Sequence, residues 1–236
     1  MNDWESYWKT VYKNDKNRNI FWDSTPERAA LEDIQRFKPY MNPDLPLLDL
    51  GCGNGRQTRF LSRYYNRVIG VDISSSAIRL AIEETLEREN VEYRVFDALN
   101  IEQAVELHQE FGDMNLYMRG VLHMIKMHDR SKFISNLGIL MGEVGVLYQI
   151  ELPTEAFYYL RTLPEDILSS IPKIVRRVGF NLEDRASYYP DDQWIIIDEG
   201  NNVSINTGSF LERNDGGLPA NFLILKKKIS SSYHND

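Results

Sequence analysis

Apolar residues recur in two periods along this chain. Short apolar stretches near 47–50, 67–71, 91–96, 113–118 and 143–150 read as strands. Between them, apolar positions at helical spacing predict helices near 55–65, 75–88, 101–110 and 129–141. Strand and helix alternate, which favours a parallel sheet covered on both faces. Ahead of the first strand, Trp4–Tyr12 places apolar or aromatic residues at 4, 7, 8, 11 and 12, again at helical spacing. Lys13–Asn19 is polar and reads as a loop. Thr25-Pro26-Glu27 is a helix start, with Thr25 as cap and Pro26 in the first turn. That helix runs to about Phe37, with Ala30, Leu31, Ile34 and Phe37 inward, before Pro39, Pro43 and Pro46 stop regular structure. Ser74–Ser76 supplies hydroxyls for a helix cap.

After Ile150 the pattern changes. Pro153, Pro164 and Pro172 interrupt the segment, and short helices are expected around 155–161 and 164–178. Gly179-Phe180 leads into an expected strand at 181–188, and Ala220–Lys227 reads as the last strand. Within the long connection Pro190–Pro219, Trp194–Ile197 and Val203–Asn206 flank Glu199-Gly200-Asn201-Asn202, a hairpin signal. This insertion serves as a substrate wall, an oligomer contact or an ornament. The expected organisation is one domain over 1–236. It comprises a helical cap at 1–44, a ligand-binding half at 45–150, an acceptor-side half at 151–229 and a disordered tail at 230–236.

Bulk composition narrows the function classes. The chain has 236 residues, 42% hydrophobic and 26% charged, as in ordinary globular proteins. No stretch approaches the apolar length needed to span a bilayer, and the acidic, aromatic N-terminus is unlike a signal peptide. A net charge of −8 argues against strong nucleic-acid binding, which needs clustered Lys and Arg; Lys226–Lys228 reads as a solvated strand end. The lone cysteine, Cys52, suits a reducing cytoplasm and reads as a small apolar filler. No His, Cys, Asp or Glu cluster has metal-ligand spacing, so no metal is expected.

The chemistry-bearing stretch is Leu47–Gly55, Leu-Leu-Asp-Leu-Gly-Cys-Gly-Asn-Gly. An apolar run ends in Asp49, and glycines follow at Gly51, Gly53 and Gly55 before a helix opens. Such a strand–turn–helix sits at the carboxyl edge of an open α/β sheet, where ligands bind. Arg67–Asp72 is a second apolar run closing on an acid, and Asp97 ends the third. An acid at the end of the second strand is placed to accept hydrogen bonds from a ribose diol. A dinucleotide site wants G-x-G-x-x-G, whereas Arg56 stands at the last position here.

The G-x-G-x-G pattern with spaced acids resembles the first motifs of class I S-adenosylmethionine (SAM)-dependent methyltransferases. The resemblance covers roughly residues 45–150. It implies an α/β, doubly wound, mostly parallel seven-stranded sheet with helices on both faces, closed by a C-terminal antiparallel hairpin. It also implies SAM as cofactor and S-adenosylhomocysteine (SAH) as product. Asp49, Gly51, Cys52, Gly53, Gly55, Asp72, Ile73, Asp97, Ala98 and Arg119 are the implied cofactor-binding residues. Asp72 would hold the ribose hydroxyls and Asp97 the adenine amino group.

The acceptor side begins after the fourth strand, at Tyr117-Met118-Arg119-Gly120-Val121-Leu122-His123. The Arg-Gly and following Leu, with Trp4, Trp8 and the Ile20-Phe21-Trp22 cluster, resemble the thiopurine S-methyltransferase branch locally; the glycine turn does not. Arg119 and His123 are the catalytic candidates. The Arg119 fork suits a carboxylate of substrate or cofactor; the alternative is an ion pair with Asp97 or Asp113. His123 is either a proton acceptor or a packed structural histidine. Trp4, Tyr7, Trp8, Tyr12 and Trp22 form a lid or plain core packing. Tyr148, Tyr158 and Tyr159 are candidates for the acceptor pocket.

The leading function is methyl transfer to a small-molecule acceptor through an O, N or S nucleophile. Alternatives are a protein or RNA methyltransferase, a non-catalytic SAM-binding module, and a nicotinamide-dependent oxidoreductase. A cytoplasmic monomer or homodimer without membrane contact is expected.

Overall fold

The structure is a computed structural model and describes residues 3–13, 24–26, 29–85, 88–162, 165, 179–205 and 217–229. Seven strands form one sheet: β1 (Leu47–Leu50), β2 (Val68–Asp72), β3 (Val91–Val95), β4 (Asn115–Arg119), β5 (Val146–Glu151), β6 (Trp194–Ile205) and β7 (Leu218–Lys227). Their spatial order is β3-β2-β1-β4-β5-β7-β6. The first five pair in parallel, and β7 enters antiparallel between β5 and β6. Helices α1 (Asp3–Lys13), α2 (Ala30–Phe37), α3 (Arg56–Leu61), α4 (Ser75–Glu84), α5 (Ile101–Phe111), α6 (Arg130–Met141) and α7 (Thr154–Leu160) connect or flank them.

The central strands are apolar on both faces because both faces are covered. Side chains alternate across the sheet, so Leu47, Tyr117 and Tyr148 join one core cluster with Ile34 and Phe37. Leu48, Leu116 and Leu147 join the other, with Phe133 and Leu137 of α6. Helix α1 stands apart: Trp8 and Val11 pack with Ala77 and Leu80 of α4 in a small third cluster. The Ser74 hydroxyl caps α4 by accepting the Ala77 N–H at 3.2 Å.

Two expectations fail. Residues expected as a strand at 181–188 form a 3₁₀ helix, Leu182–Ser187. The segment Asn181-Leu182-Glu183-Asp184-Arg185 lacks the β-branched and aromatic residues a strand prefers. The Asn181 amide donates to Asp184 and its oxygen accepts the Thr154 N–H, fixing a turn instead. The expected hairpin within 194–206 is also absent. Trp194–Ile205 is one strand along β7, with register irregularities between Ile196 and Asp198 and between Gly200 and Val203. Gly200 serves close packing there, since a Cβ on it would lie 2.6 Å from Phe222 Cε1. The sixth strand is therefore 194–205, and the closing antiparallel pair is β6 with β7.

Regular helix at the second cap segment begins at Ala30 rather than at Thr25-Pro26. The Ile20-Phe21-Trp22 cluster, Glu27, the helix expected at 164–178, residues 206–216 and the tail at 230–236 lie outside the described residues. Among those described, no helix is long and apolar enough to cross a membrane.

Candidate cofactor and acceptor site

A cavity of about 310 Å³ opens at the carboxyl ends of β1, β2 and β4. Its floor is the glycine turn after β1. The N–H groups of Gly51 and Cys52 both donate to the Val71 carbonyl, at 2.8 and 3.0 Å, and Gly53 N–H donates to Asp72 Oδ2 at 3.1 Å. The turn is thus stitched onto the second strand. Gly53 has φ +55° and lies under Trp8, whose Cζ2 would stand 2.8 Å from a Cβ. Cys52 is buried and reduced, and burial with the neighbouring Asp49 and Asp72 charges pushes its thiol well up, away from the thiolate.

Two acids line the floor. Asp72 also accepts the Ser74 N–H at 2.9 Å. Burial raises it to about 6; its backbone hydrogen bonds oppose the rise, and the Glu5 charge adds to it. Burial likewise pushes Asp49 up to about 7, against a 2.5 Å hydrogen bond from the Thr58 hydroxyl and with the help of the Asp72 charge. Asp97 sits in the loop after β3 and accepts the Leu99 N–H at 2.9 Å. Its own N–H donates to Gln103. Ile73 presents an apolar surface, 40% exposed, beside Ala98.

The roof is α1. Trp4 and Trp8 line the cavity. Glu5 accepts the hydroxyls of Ser74 at 2.7 Å and Ser76 at 2.8 Å, plus the Ser76 N–H at 3.2 Å. Burial alone would raise Glu5, yet these bonds hold it at about 2.

The far wall carries two buried side-chain pairs, Arg119 with Asp33 and His123 with Glu151. Arg119, at the end of β4, donates through Nη1 to Asp33 Oδ2 at 2.7 Å. Asp33 also accepts the Tyr117 and Tyr148 hydroxyls, each at 2.7 Å. Burial works against the Arg119 charge, and Asp33 more than offsets it. Arg119 Nη2 is buried and has no hydrogen-bond partner among the described residues.

His123, in a 3₁₀ turn over Leu122–Met124, lies 2.6 Å through Nδ1 from Glu151 Oε2. Glu151 is fully buried and also accepts the N–H groups of Val121, Leu122 and His123, at 3.0, 2.8 and 3.2 Å. Leu152, Ile205 and Leu218 close this side.

Asp49, Gly51, Cys52, Gly53, Asp72, Ile73, Asp97, Ala98, Arg119 and His123 therefore meet around one cavity. Gly55 does not line it. Gly55 is the N-cap of α3 at φ +72°, packed under Tyr93, whose hydroxyl donates to the Gly55 carbonyl at 3.2 Å. The Arg119 partner is Asp33, not Asp97 or Asp113; Asp113 pairs with His108 at 3.0 Å. Tyr148 is buried on Asp33, and neither Tyr158 nor Tyr159 reaches the cavity. Glu5, Asp33 and Glu151 escaped sequence reasoning. For Glu151 a signal existed: Val146–Glu151 is one more apolar run closing on an acid. Among the described residues, no three His, Cys, Asp or Glu side chains converge as a metal site would require.

Known proteins share this fold. Residues 47–141 match the family model described as a methyltransferase domain. A crystal structure of a SAM-dependent methyltransferase from Anabaena variabilis superposes with a TM-score of 0.84. It is 36% identical, over 97% of this chain and 96% of that one. The probable S-adenosylmethionine-dependent methyltransferase CRG1 of Saccharomyces cerevisiae is 45% identical over 81 residues, 34% of this chain; the chain spans only 28% of that curated relative's length. The N-methyltransferase NodS from Bradyrhizobium japonicum, crystallised with SAH, shares the fold with a TM-score of 0.58 at 12% identity, over 97% of this chain and all of that one. With its glycine turn, acid-ended strands and near full-length relative, this chain belongs to the SAM-dependent methyltransferases, and SAM is its cofactor.

Proposed function

We propose that this methyltransferase acts on a small-molecule acceptor, through an oxygen, nitrogen or sulfur nucleophile. The observation that carries the reading is the apolar, aromatic lining of the cavity. Trp4 and Trp8 roof it, and Leu152, Ile205 and Leu218 wall the side where Arg119 and His123 stand. An RNA acceptor needs a positive rim, whereas the chain carries a net charge of −8. A cytoplasmic location fits the single buried, reduced cysteine.

The residues present fit a sulfonium nucleoside. The order β3-β2-β1-β4 sets Asp97, Asp72, the Gly51–Gly53 turn and Arg119 side by side along one rim. Asp97, Ile73 and Ala98 would hold the base, and Asp72 the ribose hydroxyls. The glycine turn and Arg119 Nη2, which has no hydrogen-bond partner among the described residues, would hold the amino-acid end. When bound, the cofactor supplies an activated methyl group on a positively charged sulfur. The chain's own work is to align the acceptor, exclude water and manage a proton. Apolar walls exclude water, Arg119 answers a negative group, and His123 takes the proton.

The test combines SAH calorimetry with transfer of labelled methyl from SAM to small-molecule extracts, total RNA and total protein from cells. SAH binding with label only in the small-molecule fraction is expected. Label confined to RNA or protein overturns the acceptor class. SAH binding with no turnover anywhere returns the chain to the interaction-module reading.

A further inference from the structure

Resting on the small-acceptor reading, we infer that Glu151 is a positioning residue that locks His123 as the proton acceptor, and that the acceptor is therefore a weakly acidic X–H group: a phenol-like hydroxyl, a thiol or an ammonium. A carboxylate has already lost its proton and gives such a base nothing to do.

The argument begins with Glu151. Its two oxygens face four donors: three successive backbone N–H groups and the His123 ring. A fully buried carboxylate is tolerated only when so satisfied. Being acceptor-only, ionised Glu151 requires a proton on His123 Nδ1. In the neutral imidazole that choice leaves Nε2 as a bare lone pair. Nε2 has no hydrogen-bond partner among the described residues, and His123 lines the cavity. The three backbone bonds fix the 3₁₀ turn relative to β5, so the ring is aimed by the strand rather than by a loop. Phe157 braces the ring edge-on, with centroids 5.7 Å apart. A Cβ at position 120 would touch the ring, 3.4 Å from Cε1, and glycine spares that contact.

The resulting step balances. The X–H proton passes to Nε2 as X bonds to the methyl carbon, and the carbon–sulfur bond breaks with its electron pair left on sulfur. The positive charge of the sulfonium reappears on the imidazolium, directly against the Glu151 carboxylate. A base so placed contributes roughly 100-fold or more to a proton-transfer step.

The test uses the intact protein saturated with SAH, with isotope-labelled histidine rings observed by NMR at mildly alkaline pH. Expected are a proton on Nδ1, a bare Nε2, and an Nε2 signal that moves on adding phenol, thiophenol or benzylamine but not benzoate. With SAM in place of SAH, the probe that moves Nε2 should be methylated. His123→Ala should lower that turnover roughly 100-fold, leave the SAH dissociation constant unchanged, and regain rate when imidazole is added, which a purely structural histidine would not do. Glu151→Gln should lose the Nδ1 preference and turnover while still binding SAH. A proton found on Nε2, benzoate as the preferred acceptor, an Nε2 signal indifferent to all probes, or a His123→Ala enzyme as fast as its parent each overturns the inference. Failure of the parent protein to bind SAH would instead sink the cofactor reading beneath it.

Discussion

Glu5 Oε2 accepts the Ser74 hydroxyl at 2.7 Å, so a carboxylate from the first helix docks at the N-terminus of the fourth. The positive end of a helix favours an anion there. Because folding holds Glu5 at about 2, below its ordinary 4.5, its stabilisation is complete above pH 4.5 and is lost as pH falls toward 2. Glu5→Gln is expected to weaken the docking of α1 by about 1–3 kcal/mol at neutral pH. Hydrogen exchange should then quicken over residues 3–13 while the sheet stays protected, and SAH should bind less tightly because Trp4 and Trp8 lose their seat.

On the proposed reading, Asp72 would hold the ribose hydroxyls of the cofactor. Asp72→Ala should cost about 1–3 kcal/mol of SAH binding, the penalty for removing the partner of buried hydroxyls. Its pKa of about 6 sets a pH dependence. Above that value the carboxylate would be free to accept from the ribose; below it, protonation would weaken such a contact. Calorimetry across pH 5 to 8 should show affinity falling on the acid side, and the fall should vanish in Asp72→Asn.

Asp49 works against stability in its ionised form. Its folded pKa of about 7 exceeds the ordinary 3.8, so its stabilising share is complete below 3.8 and is lost as pH rises through about 7. Asp49→Asn keeps an acceptor for the Thr58 hydroxyl and removes the buried charge. It should be more stable than the parent at pH 8 by a few kcal/mol, about 2–4. Urea titrations at pH 8 and pH 5 check this; the gap should shrink at the lower value.

Gly55→Ala should destabilise the fold by about 1–3 kcal/mol. Its φ of +72° is strained for alanine, and the new Cβ would collide with the Tyr93 hydroxyl. Tyr93→Phe in the same chain should recover only a small part of that loss in denaturant titrations, because the ring carbons Cζ and Cε1 would still lie 2.7 and 2.8 Å from the new Cβ.

What was legible in the sequence was local. Leu47–Gly55 and Arg67–Asp72 each write strand, acid and turn in consecutive letters, so the cofactor rim could be read directly. Glu151 and Asp33 act on residues 28 and 86 positions away, His123 and Arg119, and only the packed sheet brings them together. Gly200 misled for a physical reason. Beside Asn201 it has the chemistry of a turn, yet the pairing of Trp194–Ile205 with Leu218–Lys227 extends the strand through it. Asp97, Asp72 and Arg119 line up because consecutive β-α-β units return to the same sheet edge, a regularity visible before any coordinates.

The two irregularities in β6 have a wider consequence. A long outermost strand offers unpaired backbone groups to any neighbour. Here the departures from register near Asp198 and Gly200 disturb the ladder and put acids on that border. At the opposite border, Glu92 and Arg94 charge the equally exposed β3. Both margins are therefore poor templates for another chain, which works against strand-by-strand aggregation.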